Sequence, residues 1–221
     1  MIKTLITKKD TFEIVRDQIS ALLKLEIENQ KALAELAGEN PAKWDLRIFQ
    51  ERSNPFEEFS SDGAPTTPII NVWYDSSDFP DSCSNSVDNQ KSFATFNVDC
   101  FTCGESQETA VGHDPGDLVS ALDVHRAIRL ARNILMAGEN TYLQLRGIVW
   151  SRKVMSINVF QPDANDASAK NIMGARLIFR VEFTETSPQI EPVILETLAV
   201  QVKRAETGEI LLETEYNYNG N

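Results

Sequence analysis

Residues 117–138, DLVSALDVHRAIRLARNILMAG, carry the clearest pattern in the chain and decide its predicted fold. Apolar side chains recur here every three or four residues, which is the period of an amphipathic α-helix. Asp114 or Asp117 can cap the start, Pro115 suits the first turn and Gly138 suits the end. A helix of this kind needs a sheet or another helix against its apolar face, so the strand-like segments around it are its predicted partners. The predicted apolar face is Ala121, Val124, Ile128, Ala131 and Leu135, widened by Leu118, Ala127 and Ile134.

The length and charge of the chain limit the classes of protein to which it can belong. A chain of 221 residues that is 42% hydrophobic can bury a sizeable core, and we expect one α+β domain over residues 1–221. The net charge of −12 argues against a tight grip on nucleic acid, because phosphate binding needs clustered basic side chains and the 21 Lys and Arg are scattered. The same charge is compatible with a surface along which DNA passes without binding.

The sequence also predicts where the protein is made. Its longest apolar runs cover a few residues, whereas a membrane-spanning helix needs about 20. The first residues, MIKTLITKKDTF, lack the apolar centre and cleavage site of a secretion signal. Three cysteines, an odd number, fit a reducing compartment better than a disulfide framework. We therefore expect a protein that is made and kept in a cytoplasm.

A second long helix is predicted over Thr11–Ala37. Thr7 with Asp10, or Asp10 alone, can cap its start, and Gly38 can end it. The stretch from Glu28 to Glu35 is more polar, so the second half of the helix is expected to leave the core. The predicted apolar stripe is Phe12, Val15, Ile19, Leu22, Leu23, Ile27 and Leu33 or Leu36.

Seven segments alternate between apolar and polar residues or are rich in β-branched and aromatic residues, as strands are. Three polar segments, 52–68, 75–91 and 104–116, are predicted to be long loops. Because most strands have one apolar face, we predict an α+β fold with a mixed, mostly antiparallel sheet packed on one face by the two helices. The predicted strands are Trp44–Gln50, Ile69–Tyr74, Ser92–Thr102, Gly147–Phe160, Ala175–Thr184, Ile194–Lys203 and Ile210–Tyr216, the last two forming a hairpin.

Cys100 and Cys103 form the one motif that suggests a reaction. A CxxC pair can be half of a zinc site or a redox pair, and Cys83 and His113 could complete a zinc-binding set. However, residues three apart on a strand point to opposite faces, so joint binding needs a turn between them. The favoured interpretation is two structural thiols, with no metal and no cofactor.

The remaining polar groups have ordinary interpretations beside the functional ones. His113 and His125 lack the neighbours of a catalytic triad. The spacing of Asp75, Asp78 and Asp81 allows a bound cation, but the glycine and closing glutamate of a calcium loop are missing, so a solvated acidic loop is favoured. Glu182, Glu185, Glu191 and Glu196 are interpreted as facing solvent, not as paired catalytic acids.

Arg126, Arg129 and Arg132 are the only local concentration of basic side chains, and they lie outside the apolar stripe of the central helix. On so acidic a chain, this positive charge suits the acidic surface of a neighbouring copy, whereas pairing within the chain or plain solvation is the alternative. We therefore predict that these three arginines, with Asp75, Asp78 and Asp81, belong to protein interfaces.

The order of the predicted elements resembles that of tail-terminator and neck (head–tail joining) proteins of long-tailed bacteriophages. The matching pieces are the helix Thr11–Ala37, the strands of Trp44–Thr102, the helix Leu118–Ala137 and the strands of Gly147–Tyr216. The most suggestive stretch is ARLIFRVEFTETSPQIEPVILETLAVQVK, residues 175–203, where an acidic linker containing prolines joins two alternating strands.

This resemblance implies a structural virion protein, assembled in the host cytoplasm, and not an enzyme. It implies a homo-oligomeric ring, with six copies as the expected number, that joins the tail tube protein to the head–tail connector protein. DNA would pass through the ring without specific binding, past an acidic lumen that repels phosphates. A ring needs a head-to-tail interface that closes by rotation.

Two other hypotheses compete with the ring. One is a metal-binding or small-molecule enzyme that uses Cys83, Cys100, Cys103 or the acidic loop. The other is an adaptor or binding module that acts as a monomer. Stoichiometric zinc after dialysis favours the first, and a lack of self-association favours the second.

Overall fold

The computed structural model describes residue 5 and residues 7–59, 66–80, 89–110, 112–162, 171–186, 197–203 and 210–217. These form two compact units, of which one spans residues 7–187 and the other includes the strands that follow residue 188. The expectation of a single domain over 1–221 stays a prediction. Both helices and the large sheet belong to the first unit.

A five-stranded sheet in the order β1–β2–β3–β7–β6 forms the centre of this unit. β1 pairs with β2 in parallel, and the three other neighbouring pairs are antiparallel. The predicted α+β fold with a mixed, mostly antiparallel sheet is therefore confirmed. The strands are β1 (Arg47–Gln50), β2 (Ile69–Asp78), β3 (Asn89–Gly104), β4 (Gln107–Thr109), β5 (Gly112–Asp114), β6 (Val149–Phe160), β7 (Asn171–Thr186), β8 (Thr197–Lys203) and β9 (Ile210–Asn217).

The main core lies between one face of this sheet and two helices, α1 (Thr11–Leu36) and α2 (Gly116–Met136). Val15 and Ile19 of α1 and Val124 of α2 are fully buried in the same cluster as alternate residues of the strands. The alternation predicted for β3 and β7 is confirmed, because every second side chain of these strands faces the helices. The central members from the sheet are Val72, Phe96, Val98, Cys100, Leu177, Phe179, Val181 and Phe183.

The ends of α1 follow the predicted capping chemistry. Asp10 is the N-cap, and its backbone N–H donates to Oε2 of Glu13 at 3.0 Å. Gly38 follows the helix with a φ of +73°, a conformation that only glycine adopts at little cost. The predicted stripe was wrong at its end, because Leu33 and Leu36 are exposed and Ala34 is buried instead.

The ends of α2 differ from the prediction. Pro115 is the N-cap and makes no side-chain capping bond, and the N–H of Gly116 is bound by Oγ of Ser106 at 3.2 Å. Neither Asp114 nor Asp117 therefore acts as the predicted N-cap. Gly138 does not end the helix either, because α2 stops at Met136 and Gly138 begins a separate 3₁₀ turn. Contacts with residues distant in sequence, and not the predicted capping residues, determine where α2 begins and ends.

A close approach of two backbones explains why α2 starts where it does. A Cβ added to Gly104, the last residue of β3, would lie 1.9 Å from the carbonyl oxygen of Gly116 and 2.6 Å from the N of Ser120. Only a residue without a side chain fits here. Next to it, Oγ1 of Thr102 donates to the carbonyl of Ser120 at 2.7 Å. The end of β3 thus holds the first turn of α2 against the sheet.

Several predicted element boundaries were wrong. Trp44 belongs to the 3₁₀ turn Pro41–Trp44 and not to the first strand. β2 continues to Asp78 and β3 begins at Asn89, so strand takes up both ends of the segment predicted as a 75–91 loop. The 104–116 segment contains the short antiparallel pair β4–β5. These polar residues are in strands because neighbouring strands satisfy their backbone hydrogen bonds, and composition alone does not predict such pairing.

The opposite face of the sheet carries a smaller apolar cluster at one end. Phe59, Ile69, Phe101 and Cys103 are buried there, under the 3₁₀ turn Pro55–Phe59.

In the second compact unit, β8 and β9 pair antiparallel, as the predicted hairpin requires.

Candidate functional site

The outward side of α2 carries a continuous line of exposed residues. Its members are Leu118, Leu122, His125, Arg129, Arg132 and Met136, spaced three or four apart, and we refer to them as the α2 stripe. This spacing places them on one side of the helix, opposite the side that meets the sheet. Leu122 is 60% exposed and Leu118 is 44% exposed, although Leu118 was predicted to be in the core. The core side of α2 begins instead at Gly116 and Ser120.

The charges of the α2 stripe are available for a partner. Arg126, beside the stripe, pairs with Asp123 one turn earlier at 3.0 Å. Arg129 and Arg132 form no ion pair with any carboxylate in the part of the chain that the structure describes. The stripe therefore combines exposed leucines with two open guanidinium groups, an arrangement typical of a protein-binding surface. Of the three arginines predicted as interface residues, two have this geometry.

Strand β6 is the long edge of the sheet and also exposes apolar side chains. It pairs with β7 on one side, and on its other side no strand among the described residues pairs with it. The register shifts at Trp150 and at Met155, and these two bulged residues are 54% and 47% exposed. Ile157 and Val159 are also exposed, because α2 packs mainly against β3 and β7. Bulges of this kind blunt an edge against uncontrolled strand pairing.

The acidic residues predicted as interface residues lie on the other side of the sheet from α2. Asp75 and Asp78 are exposed on β2, and Asp78 binds Nη2 of Arg180 at 3.0 Å on the open face. Asp81 lies outside the described residues. The structure therefore does not bring Asp75 and Asp78 together with the arginines of α2 within one copy.

The cysteines and histidines are separated as well. Cys100 is buried in the main core and Cys103 in the small cluster of the opposite face, so the two thiols point away from each other. Burial raises the pKa of the Cys100 thiol well above its ordinary value. His113 is exposed on β5 and pairs with Glu108 at 2.8 Å, and Cys83 lies outside the described residues. No group of three potential metal ligands occurs among the residues that the structure describes.

An ion pair between a buried carboxylate and a half-exposed arginine on the open face of the sheet was not predicted. Asp99 and Arg176 face each other across β3 and β7, with Nε and Nη2 of the arginine 2.7 and 2.8 Å from the carboxylate oxygens. The indole of Trp73 also donates to this carboxylate, at 2.9 Å, and the guanidinium carbon lies 5.0 Å from the centre of the same ring. The hydrogen bond with Asp99 raises the pKa of Arg176. The alternation predicted that Arg176 faces outward, but no local signal could show its partner.

This ion pair lies in the wall of a cleft of about 560 Å³. The cleft has aromatic walls from Trp73, Phe56, Phe101 and Phe160, and Arg52 stands at its side. Asn71 holds the backbone of Arg52 by accepting from its N–H at 3.2 Å and donating to its carbonyl at 2.9 Å. Nη1 of Arg176 has no hydrogen-bond partner in the described part of the chain. The cleft therefore offers a flat apolar space beside donors for an acidic group.

Glu185, predicted to face solvent, has a structural role. Its Oε1 accepts hydrogen bonds from the N–H and the hydroxyl of Thr11, at 3.0 and 2.9 Å, at the start of α1. A carboxylate at a helix N-terminus also interacts favourably with the helix dipole. Glu185 is half-buried, so it faces solvent in part, while Glu191 and Glu196 lie outside the described residues.

The sequence was compared with family models and with curated proteins. Neither a protein-family model nor a curated protein sequence matches the chain. In the described part of the chain, neither helix combines the length and apolar character that crossing a membrane requires.

Proposed function

We propose that this chain is a ring-forming structural protein of a long-tailed bacteriophage, a tail terminator or neck component between the tail tube and the head connector. The observation that carries the proposal is the α2 stripe, in which Leu118, Leu122 and two open arginines face outward on a rigid helix. A surface of this composition is costly to leave in water on a subunit that acts alone. On a subunit of a closed assembly it is covered.

Strand β6, the edge strand of the five-stranded sheet, supports the same function. This strand forms a second exposed apolar surface, made by the side chains of Trp150, Met155 and Val159. A ring subunit needs two different contact surfaces, one for each neighbour, and further surfaces at its ends for the proteins above and below. The net charge of −12 suits a channel for DNA, because acidic walls repel phosphates.

The size of the purified full-length protein tests this proposal. We expect light scattering after gel filtration, at micromolar concentration, to give a single mass of several copies, and negative-stain images to show rings with a central hole. A second sample, measured in the same way, contains the protein mixed with its tail tube protein. A protein that stays monomeric alone and in that mixture contradicts the proposal.

The cleft on the open face favours a second candidate, a monomeric binding module for an acidic peptide that carries an aromatic residue. Trp73 and Phe160 would hold the ring, and the open Nη1 of Arg176 would bind the acid. NMR titration with a Glu-Phe peptide tests it, because binding moves the signal of the Trp73 indole N–H. Matched controls are a Gln-Phe peptide, which lacks the charge, and the Arg176→Lys variant, which lacks the fork of donors. An unmoved indole signal excludes this candidate.

A further inference from the structure

Helix α1 carries an exposed stripe of its own on its second half. Its members are Leu25, Glu28, Asn29, Ala32, Glu35 and Leu36, and we refer to them as the α1 stripe. Leu25 is 66% exposed and Leu36 is 85% exposed, so the apolar ends of this stripe are open to water. The core side of α1 at this level consists of Ile27 and Ala34.

The charges of the two stripes are opposite. Between its leucines the α1 stripe has Glu28 and Glu35, whereas the α2 stripe has Arg129 and Arg132. Glu28 is 70% exposed and its one ion pair is with Lys31, at 3.2 Å on the helix surface. An exposed pair of this type contributes little and can be exchanged for another partner. Lys31 lies outside the α1 stripe and also reaches towards Asp45 at 3.4 Å.

The lengths of the two stripes also fit. Leu25 and Leu36 are eleven residues apart, which is about 16 Å along a helix. The ends of the α2 stripe, Leu118 and Met136, are eighteen residues apart, about 27 Å by the same rise per residue, so the shorter α1 stripe can lie within its length. Each stripe has apolar residues at its ends and charged residues between them. The two can therefore pack side by side with apolar side chains in contact and carboxylates beside guanidinium groups.

We infer that the α2 stripe of one copy packs against the α1 stripe of the next copy, and that this helix–helix contact joins neighbouring subunits. The inference rests on the proposed ring. The occupant is a second copy of this chain because the chain itself supplies both the acidic and the basic surface. A contact between two different surfaces of identical subunits is head-to-tail, so it repeats until the ring closes.

Charge reversal gives a test with its own rescue. The first variant is Arg129→Glu/Arg132→Glu, in which both stripes are acidic. The second is Glu28→Arg/Glu35→Arg, in which both stripes are basic. Each variant alone has like charges at every contact, whereas an equal mixture has opposite charges at every contact when the two alternate around the ring. Lys8→Glu/Lys9→Glu is the matched control for the first variant, because it makes the same change in net charge at exposed positions outside both stripes and outside β6.

We expect each variant alone to assemble at least tenfold more weakly than the wild-type protein, measured as the concentration for half assembly. We expect the equal mixture to assemble like the wild type and the control variant to be unaffected. Assembly of either variant alone at the wild-type concentration overturns the inference, and so does a mixture that fails to assemble. A wild-type protein that stays monomeric both alone and with its tail tube protein contradicts the ring, whereas an assembled wild type with insensitive variants contradicts only this contact.

Circular dichroism of each variant shows whether it is folded. If a charge-reversed variant is unfolded, the neutral variant Arg129→Gln/Arg132→Gln replaces it. The inference then requires weaker assembly and a smaller effect of salt on assembly than in the wild type. Wild-type assembly and salt dependence in the neutral variant overturn it.

Discussion

The guanidinium of Arg152 on β6 closes the C-terminal end of α2 by donating from Nε to the carbonyl of Leu135 at 2.6 Å. The same side chain donates to the carbonyls of Ala137 and Thr141, at 2.6 and 2.8 Å. The last carbonyls of a helix have no partners within it and carry partial negative charge, so a cation here satisfies both needs. This contact ties the edge strand to the helix that bears the α2 stripe.

Replacing Arg152 should therefore destabilise the protein. We expect Arg152→Ala to lower the free energy of unfolding by about 2–3 kcal/mol, because three hydrogen bonds from a charged group are lost. Urea titration followed by circular dichroism measures the change. Lys153→Ala, which replaces an exposed neighbour on the same strand, should change it by less than about 0.5 kcal/mol. Equal effects of the two variants would exclude a specific role of Arg152.

Asp99→Asn should be costly, because the carboxylate is 5% exposed and faces Arg176. We expect a loss of about 2–4 kcal/mol, since the arginine is left without its counter-charge. In a double-mutant cycle with Arg176→Met, we expect a coupling energy of about 1–3 kcal/mol. Asp78→Asn breaks the exposed pair with Arg180 and should cost less than about 1 kcal/mol. A coupling near zero would show that the Asp99–Arg176 pair contributes nothing specific.

Gly104→Ala should strongly destabilise the protein, because the new Cβ would overlap the backbone of Gly116 and Ser120. We expect a loss of about 3 kcal/mol or more, since a backbone cannot move aside as a flexible side chain can. The matched variant is Gly138→Ala, where no atom lies within 4 Å of the new Cβ. Its free energy of unfolding should stay within about 0.5 kcal/mol of the wild type. The thermal unfolding midpoint distinguishes the two variants.

The pH dependence of stability should include a contribution from Glu182. The hydrogen bond from Lys91 lowers the pKa of this carboxyl, and Oγ of Ser151, 2.7 Å from Oε2, lowers it too. A pKa that is lower in the folded state gives stability above the unfolded value of about 4.3, and this stability is lost as the pH falls through the folded value. We expect Glu182→Gln to cost about 1 kcal/mol at pH 7 and less at pH 3. Urea titrations at both values measure this, and an equal cost at both would exclude the linkage.

Cys100 should resist alkylation in the folded protein. Its thiol is fully buried and its raised pKa keeps it protonated, whereas the thiolate is the form that reacts. We expect peptide mapping after treatment with iodoacetamide to show Cys100 and Cys103 unmodified in buffer and modified in guanidinium chloride. Rapid modification of Cys100 in buffer would contradict its burial and reopen the redox interpretation of the CxxC motif.

Local chemistry predicted those features that depend on residues close together in the chain. The apolar period of α1 and α2, the alternation in β3 and β7, and the positive φ of Gly38 follow from steric and hydrophobic rules that act over a few residues. The outward position of Arg129 and Arg132 follows from the same period. Leu118 was assigned to the wrong side because an apolar residue at the edge of a stripe fits either side.

By itself the sequence determined the fold class, the two helices, the alternation in β3 and β7 and the outward position of the α2 arginines, since each depends on short-range periodicity. Only the tertiary structure decided that Asp99 meets Arg176, that Arg152 closes α2 and that Gly104 contacts Gly116. It also decided that β6 lies at an edge, which is why Ile157 and Val159 are exposed although their pattern is that of core residues. Strand order and register depend on contacts between distant segments, and no local pattern contains that information.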